Sequence, residues 1–199
     1  ASERASATLG LRYDRATREA RQPANPFYGP GFPWTSKDTA TLLPKIALDY
    51  QLAPQRFFYA SVAAGWKPGG VNQIAPDLTT ALYSKETSWT WETGIKSRWL
   101  DERLQLNASV FHTNVRDFQD EIMLDPVHLV LANAERVLIE GGEIELVWKP
   151  HASIQMDASL GVARARYEDY LRNRVTGFRY DGMRVAQVPD HNFHVGLTW

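Results

Sequence analysis

The chain contains no cysteine, which excludes a disulfide framework and a thiolate metal centre. It has no run of eighteen apolar residues. That excludes a transmembrane helix, but not a membrane barrel, whose alternating strands never produce such a run. Charge of one sign is lacking too. The formal net charge is −1 over 199 residues, so nothing marks nucleic acid as a partner. Catalytic signatures are missing: there is no G-x-S-x-G, no P-loop, no G-x-G-x-x-G and no zinc-spaced cluster. The chain therefore reads as a non-enzyme without a cofactor. His191 and His194 form H-x-x-H, but positions three apart on a strand face opposite ways, so no shared metal is expected. Asn107-Ala108-Ser109 matches a glycosylation sequon, but it lies in mid-strand and reads as coincidence. No basic start and apolar block opens the chain at Ala1, and its first residues already read as mid-strand. It is taken as an internal piece of something longer.

What is present is alternation. From Ser88 to Gln119, residues Trp89, Trp91, Thr93, Ile95, Ser97 and Trp99 fall on one face of an extended strand. Thr90, Glu92, Gly94, Lys96 and Arg98 fall on the other. After a polar turn at Asp101, Glu102 and Arg103, residues Leu104, Leu106, Ala108, Val110 and His112 alternate with Gln105, Asn107, Ser109 and Phe111. Period-two patterning held over about ten residues per strand signals a hairpin of membrane-spanning length, because soluble strands usually run about 5–6 residues.

The same pattern recurs along the chain. Leu9, Leu11 and Tyr13 oppose Arg12 and Asp14. Ile46, Leu48, Tyr50 and Leu52 oppose Lys45, Asp49 and Gln51. Phe57–Trp66 is less decided, with Phe58, Ala60, Val62, Ala64 and Trp66 assigned outward. Ile144, Leu146 and Trp148 oppose Glu143 and Glu145; Met156, Ala158, Leu160 and Val162 oppose Asp157. The last strand sets Phe193, Val195, Leu197 and Trp199 against Asn192, His194 and Thr198. Extending the sixth strand upstream puts Glu140 on the apolar face. A bulge at Gly141-Gly142 would reverse that phase and bring Val137 and Ile139 outward instead. Long loops are expected at Ala20–Lys37, Lys67–Glu86, Asp120–Ala132 and Glu168–Met183, with short turns between them.

Two regularities follow. Long and short connections alternate, as they do when one rim of a barrel faces the periplasm and the other the exterior. Tyr50, Trp99, Trp148 and Trp199 end strands about fifty residues apart, which reads as a girdle at one membrane interface. The fold class is thus all-β: an antiparallel up-and-down meander of about eight long strands, a segment of a transmembrane β-barrel in contact with outer-membrane lipid. Arg12, Asp49, Glu92, Lys96, Arg98, Glu143 and Glu145, with Asp14, Lys45 and Asp157, are assigned to the lumen.

Five segments in order resemble TonB-dependent outer-membrane receptors. Tyr59 to Asn72, with Gly65-Trp66-Lys67-Pro68-Gly69-Gly70-Val71-Asn72, is similar to their YxxxxxGYKPGGxN stretch. Glu86–Ser97 resembles ExxxxxELGxKS, and Val110–Gln119 resembles FYxxxKDxQ. Asn133-Ala134 with Gly142-Glu143-Ile144-Glu145 resembles NAxxxxxxGxExE. Arg184-Val185 with Val188-Pro189 resembles RxPxVP. Each motif is weak alone; together they are specific, and they fit the ferric-siderophore group best. The resemblance implies a 22-stranded barrel filled by an N-terminal plug, of which residues 1–199 would form about a third, without the plug and the remaining strands. It also implies import of a ferric siderophore or a similar scarce nutrient in the bacterial outer membrane, energised by TonB through that plug. Phe27, Tyr28, Phe32 and Trp34 in the first loop are candidates for an aromatic and basic mouth that suits a flat anionic ligand. Arg172, Arg174, Phe178, Arg179 and Tyr180 in the fourth are the others. Two rivals stay open: a self-standing eight-stranded outer-membrane barrel with a structural or adhesive role, and a soluble β-sheet binding protein.

Overall fold

Alternating side chains leave a strand with two unlike faces, and neighbouring strands must match them row by row. The computed structural model, which describes residues 4–126, 128–173 and 178–199, shows eight strands that do so. They are β1 (Ala5–Gln22), β2 (Phe32–Ala53), β3 (Arg56–Lys67), β4 (Glu86–Trp99), β5 (Leu104–Asp125), β6 (His128–His151), β7 (Ile154–Asp169) and β8 (His191–Thr198). Each pairs antiparallel with the next in chain order, giving one meandering sheet. The expected all-β meander is therefore the observed architecture. Among the described residues β1 and β8 do not pair with each other, so the sheet is open.

The register decides the two faces. One row runs Leu48, Ala60, Thr93, Val110, Gly142, Val162; the row below it on the same face runs Phe58, Ile95, Ala108, Ile144, Leu160, Phe193. This settles β3: Phe58, Ala60 and Val62 share the apolar face. Trp89, Leu106, Leu160 and Leu197 are 43%, 37%, 49% and 56% exposed. A soluble sandwich would bury such residues together; here they lie open along the sheet.

All the strands but β8 are longer than the roughly ten residues predicted, and two of the expected loops are strand. Asp120–Ala132 is the tip of the β5–β6 hairpin, with Ile122 opposite Val130. Much of Ala20–Lys37 belongs to β1 and β2, so Phe32 and Trp34 stand on a strand. Strand pairing continues past the membrane-spanning part, although alternation is interrupted at Asp117 (φ 53°), so that Val115 and Phe118 pack on one cluster. In the second connection, Gly70–Val71 pairs with Leu82–Tyr83, and Asp77 caps the one-turn helix Leu78–Ala81. In the fourth, Leu171–Asn173 pairs with Phe178–Arg179.

The bulge expected at Gly141-Gly142 is absent. The pair sits in unbroken register between Phe111/Val110 and Ala163/Val162, and the β6–β7 register shifts at Arg136/Val137 instead. A Cβ on Gly141 would lie 2.4 Å from the Phe111 ring and 2.4 Å from the Val162 carbonyl oxygen. Close approach, rather than a change of phase, accounts for this glycine. Glu140 accordingly stays on the apolar-face row, and its carboxylate meets His112 at 3.1 Å. Val137 is 0% exposed rather than outward, and Ile139 packs against the same cluster.

The buried core lies at the long-connection end. Val115, Ala134, Val137, Ala165, Tyr167, Tyr170 and Val185 form one cluster; Phe32, Ala75, Ala81 and Val130 form another.

Candidate functional site

The polar face of β3–β6 gathers the first group. Tyr59, Glu92, Lys96, Asn107, Phe111, Glu143 and Glu145 line a concavity of about 390 Å³. The Tyr59 hydroxyl donates to Glu92 at 2.7 Å, and Asn107 donates to Glu145 at 3.2 Å. The Lys96 ammonium stands 5.6 Å from the Tyr59 ring centre. A Cβ on Gly94 would meet that ring at 2.7 Å, so the glycine lets the tyrosine lie flat on the wall. Of the residues assigned to the lumen, Glu92, Lys96, Glu143 and Glu145 come together here. Asp49 lies apart, accepting from Ser6, and Arg12 pairs with Asp14 at 2.6 Å. Arg98 is near the short turns, 3.8 Å from Glu102. Strand parity put these side chains on one face; Tyr59, Asn107 and Phe111 follow from the same parity but carry no charge to draw attention.

The second group ties the long connections together. Buried Glu86 accepts from the Lys67 ammonium at 3.2 Å and from the Gln119 backbone N–H at 2.8 Å. Gln119 donates its amide to the carbonyls of Pro68 and Ser84. Asn133 accepts from the Ser84 N–H at 2.8 Å and donates to the carbonyls of Ser84 and Asp117. Asn72 binds Leu131 at both backbone groups, 2.9 Å each, and donates to Thr80. Four side chains from separate sequence motifs thus clamp 68–85 onto the β5–β6 hairpin. Motif matching located them; only the fold shows that they act together.

The candidate ligand residues are dispersed. Phe27 and Trp34 are exposed, and the Arg21 guanidinium lies 5.1 Å from the Trp34 ring centre. Phe32 is 7% exposed, its ring already covered in the second cluster, so it offers no open contact surface. The Tyr28 carbonyl accepts from Gln22 at 3.1 Å and lies 3.3 Å from His128 Nε2, while His128 Nδ1 is 2.6 Å from Asp125. That carboxylate, with the Tyr28 carbonyl, raises the His128 pKa above 6.5. Arg179 is held between Asp169 and Asp181, at 2.6 Å from the latter. The guanidinium and the Tyr170 N–H together lower the Asp181 pKa. Asp169 also raises that of Glu135. The predicted basic character of this connection is therefore balanced by carboxylates at Arg179. Tyr180 packs on Tyr167 and Tyr170, at 5.8 and 5.7 Å between ring centres. Arg174 lies outside the described residues, as do the side chains of Arg172 and Phe178. At the opposite rim, Tyr50, Trp99 and Trp148 are exposed on the apolar face near the short turns, and Trp199 follows β8. The Arg56 guanidinium lies 3.2 Å over the Trp99 ring.

Comparison with known proteins fits this geometry. The family model described as TonB-dependent receptor-like β-barrel matches residues 1–199. The pesticin receptor of Yersinia pestis is 29% identical over 150 residues, covering 74% of this chain and 21% of that protein. The pesticin receptor of Yersinia enterocolitica is 28% identical over the same length and shares. The chain thus spans about a fifth of the curated relatives it matches. The ferric yersiniabactin uptake receptor FyuA from Yersinia pestis superposes with a TM-score of 0.75 at 22% identity, over 98% of this chain and 29% of that one. The siderophore receptor PiuA from Acinetobacter baumannii gives 0.75 at 18% identity, over the same shares. At these identities the two structures speak to the fold alone. The full-length family match, on an open sheet with one apolar and one polar face, places the protein in the bacterial outer membrane. The chain belongs to the TonB-dependent receptor-like β-barrel family.

Proposed function

We propose that this chain is a stretch of barrel wall, residues 1–199, from a receptor that imports a ferric siderophore through the outer membrane. TonB would energise it through a plug packed inside the barrel. The observation that carries the reading is the two-faced sheet. Aliphatic and aromatic residues suit lipid on one side, and the Tyr59–Glu92–Lys96–Glu145 wall suits a hydrated or plug-filled lumen on the other. The name of one structural relative, the ferric yersiniabactin uptake receptor, agrees with an iron ligand. Phe27, Tyr28 and Trp34 on one connection, and the Tyr180 region on another, are the proposed mouth; Tyr50, Trp99, Trp148 and Trp199 are the proposed lower girdle.

The test is uptake by iron-starved cells carrying or lacking the full-length gene. Iron-55 is supplied as ferric yersiniabactin, ferric alcaligin or a ferric catecholate, with a copper isotope as the comparison metal. Gene- and TonB-dependent uptake of at least one iron complex, without copper uptake, is the expected outcome. TonB-independent uptake, or uptake of copper alone, would contradict the proposal.

A further inference from the structure

The turn at 23–31 joins β1 to β2 and is bonded almost wholly to itself. Asn25 and Gly29 exchange backbone hydrogen bonds at 2.9 Å, and the Tyr28 N–H donates to the Asn25 carbonyl at 3.2 Å. The Phe27 N–H donates to the Asn25 side chain at 2.8 Å. Gly29 (φ 90°) and Gly31 (φ 72°) take left-handed conformations that glycine adopts without strain. The turn is therefore a small preformed unit. Among the described residues, hydrogen bonds leave it through one atom, the Tyr28 carbonyl oxygen. One donor to that atom is Gln22, at the foot of the same turn. The other is His128, 100 positions away at the tip of the β5–β6 hairpin.

His128 is buried, and each of its ring nitrogens faces an oxygen. Nδ1 is 2.6 Å from the Asp125 carboxylate, and Nε2 is 3.3 Å from the Tyr28 carbonyl. A carbonyl and an ionised carboxylate can only accept. An imidazolium donates to both. Either tautomer of the neutral ring donates to one and turns a lone pair on the other. The carboxylate is the stronger acceptor, so the remaining proton stays on Nδ1 and the bond to the turn is the one lost. Among the described residues, Asp125 is the one charged group acting on the ring. The Tyr28 phenol is the other titratable group against it, with ring centres 6.3 Å apart and the rings edge to face. The turn at 23–31 carries no charge of its own. Asp125, with the Tyr28 carbonyl, raises the ring's pKa, so the loss falls above pH 6.5.

We infer that His128 is a proton-operated latch: its imidazolium pins the 23–31 turn to the tip of the β5–β6 hairpin, and loss of the proton lets the turn move away from that tip. Phe27 and Tyr28 ride on this turn, so the latch sets how they are presented to a ligand. That consequence rests on the mouth proposed above; the latch itself does not.

The test places nitroxide labels on Ala24→Cys and Met123→Cys of the full-length receptor, free of other reactive cysteines, in lipid vesicles. Pulsed dipolar spectroscopy then reports the spacing of turn and tip between about pH 5 and pH 9, a range spanning the histidine titration. One narrow distance is expected at the acidic end, broadening about twofold or more as pH rises above 6.5. His128→Gln should show no change with pH. In Asp125→Asn the side-chain amide donates to Nδ1, the neutral ring carries its proton on Nε2, and the narrow distance should persist across the range. A distance in the unaltered receptor that does not respond to pH would overturn the inference. So would a pH response of the unaltered size in either variant. No ligand is present, so a failure of the mouth reading leaves these distances as predicted.

Discussion

Ile144 and Asn107 stand on neighbouring strands but face opposite ways, and a charge at each should have opposite consequences. Ile144 is four positions above Trp148, about 13 Å along the strand and so near the middle of the apolar band. Ile144→Arg is expected to cost about 2–4 kcal/mol in reversible unfolding from lipid, the range for a midplane arginine. Asn107→Arg would instead place a cation between Glu145 and Lys96 on the polar face, where attraction and repulsion oppose each other, with a net effect within about 1 kcal/mol. Equal costs at the two positions would contradict the assignment of faces. His128 gives a second residue-level expectation, this time outside the membrane. Its two ring nitrogens reach Asp125 and the Tyr28 carbonyl, and both contacts are donated only by the protonated ring. Its folded pKa is raised above 6.5. The stabilisation is therefore fully present below pH 6.5 and lost as pH rises through the folded value. Hydrogen-exchange protection of the turn at 23–31 should fall across that window, and His128→Gln should remove the pH dependence.

At the scale of elements, period-two patterning made nearly every membrane-spanning segment legible, down to which face Leu106 and Glu145 take. It was silent about where strands stop. Ile122 and Val130 look like an apolar loop in sequence; in the fold they are cross-strand partners, and Val130 is buried beside Phe32. No local signal separates a tall hairpin from a loop when both carry mixed residues. The motif residues Asn72, Glu86, Gln119 and Asn133 were visible, but the clamp they form was not, because their partners lie up to 59 positions away. Glycine was misread for a related reason: Gly141 has the sequence signature of a bulge, yet its role is to make room for Phe111. Gly141→Ala should therefore destabilise the receptor by about 1–3 kcal/mol, the usual cost of overpacking. At Gly10 an added Cβ would find its nearest neighbour at an ordinary 3.6 Å, so Gly10→Ala should be near neutral. Denaturation midpoints of the two variants decide this; indistinguishable midpoints would remove the packing role assigned to Gly141.

On the scale of the whole molecule, among the described residues, the sheet has two open edges, β1 and β8, which present unpaired backbone groups. Such edges are excluded from lipid, where no water can satisfy them. In the membrane both must be covered, as neighbouring strands of a larger barrel would do. The central claim is that Leu106, Ala108 and Val110 face hydrocarbon while Gln105, Asn107 and Ser109 face a hydrated interior. Because this chain has no cysteine, single cysteines can be introduced at each position from 104 to 110 of the full-length receptor. Nitroxide labels on them can then be tested in lipid vesicles for collision with oxygen and with a water-soluble nickel chelate. Oxygen accessibility is predicted to peak at 106, 108 and 110, and nickel accessibility at 105, 107 and 109. The absence of a two-residue period, or the same period in the opposite phase, would contradict the account.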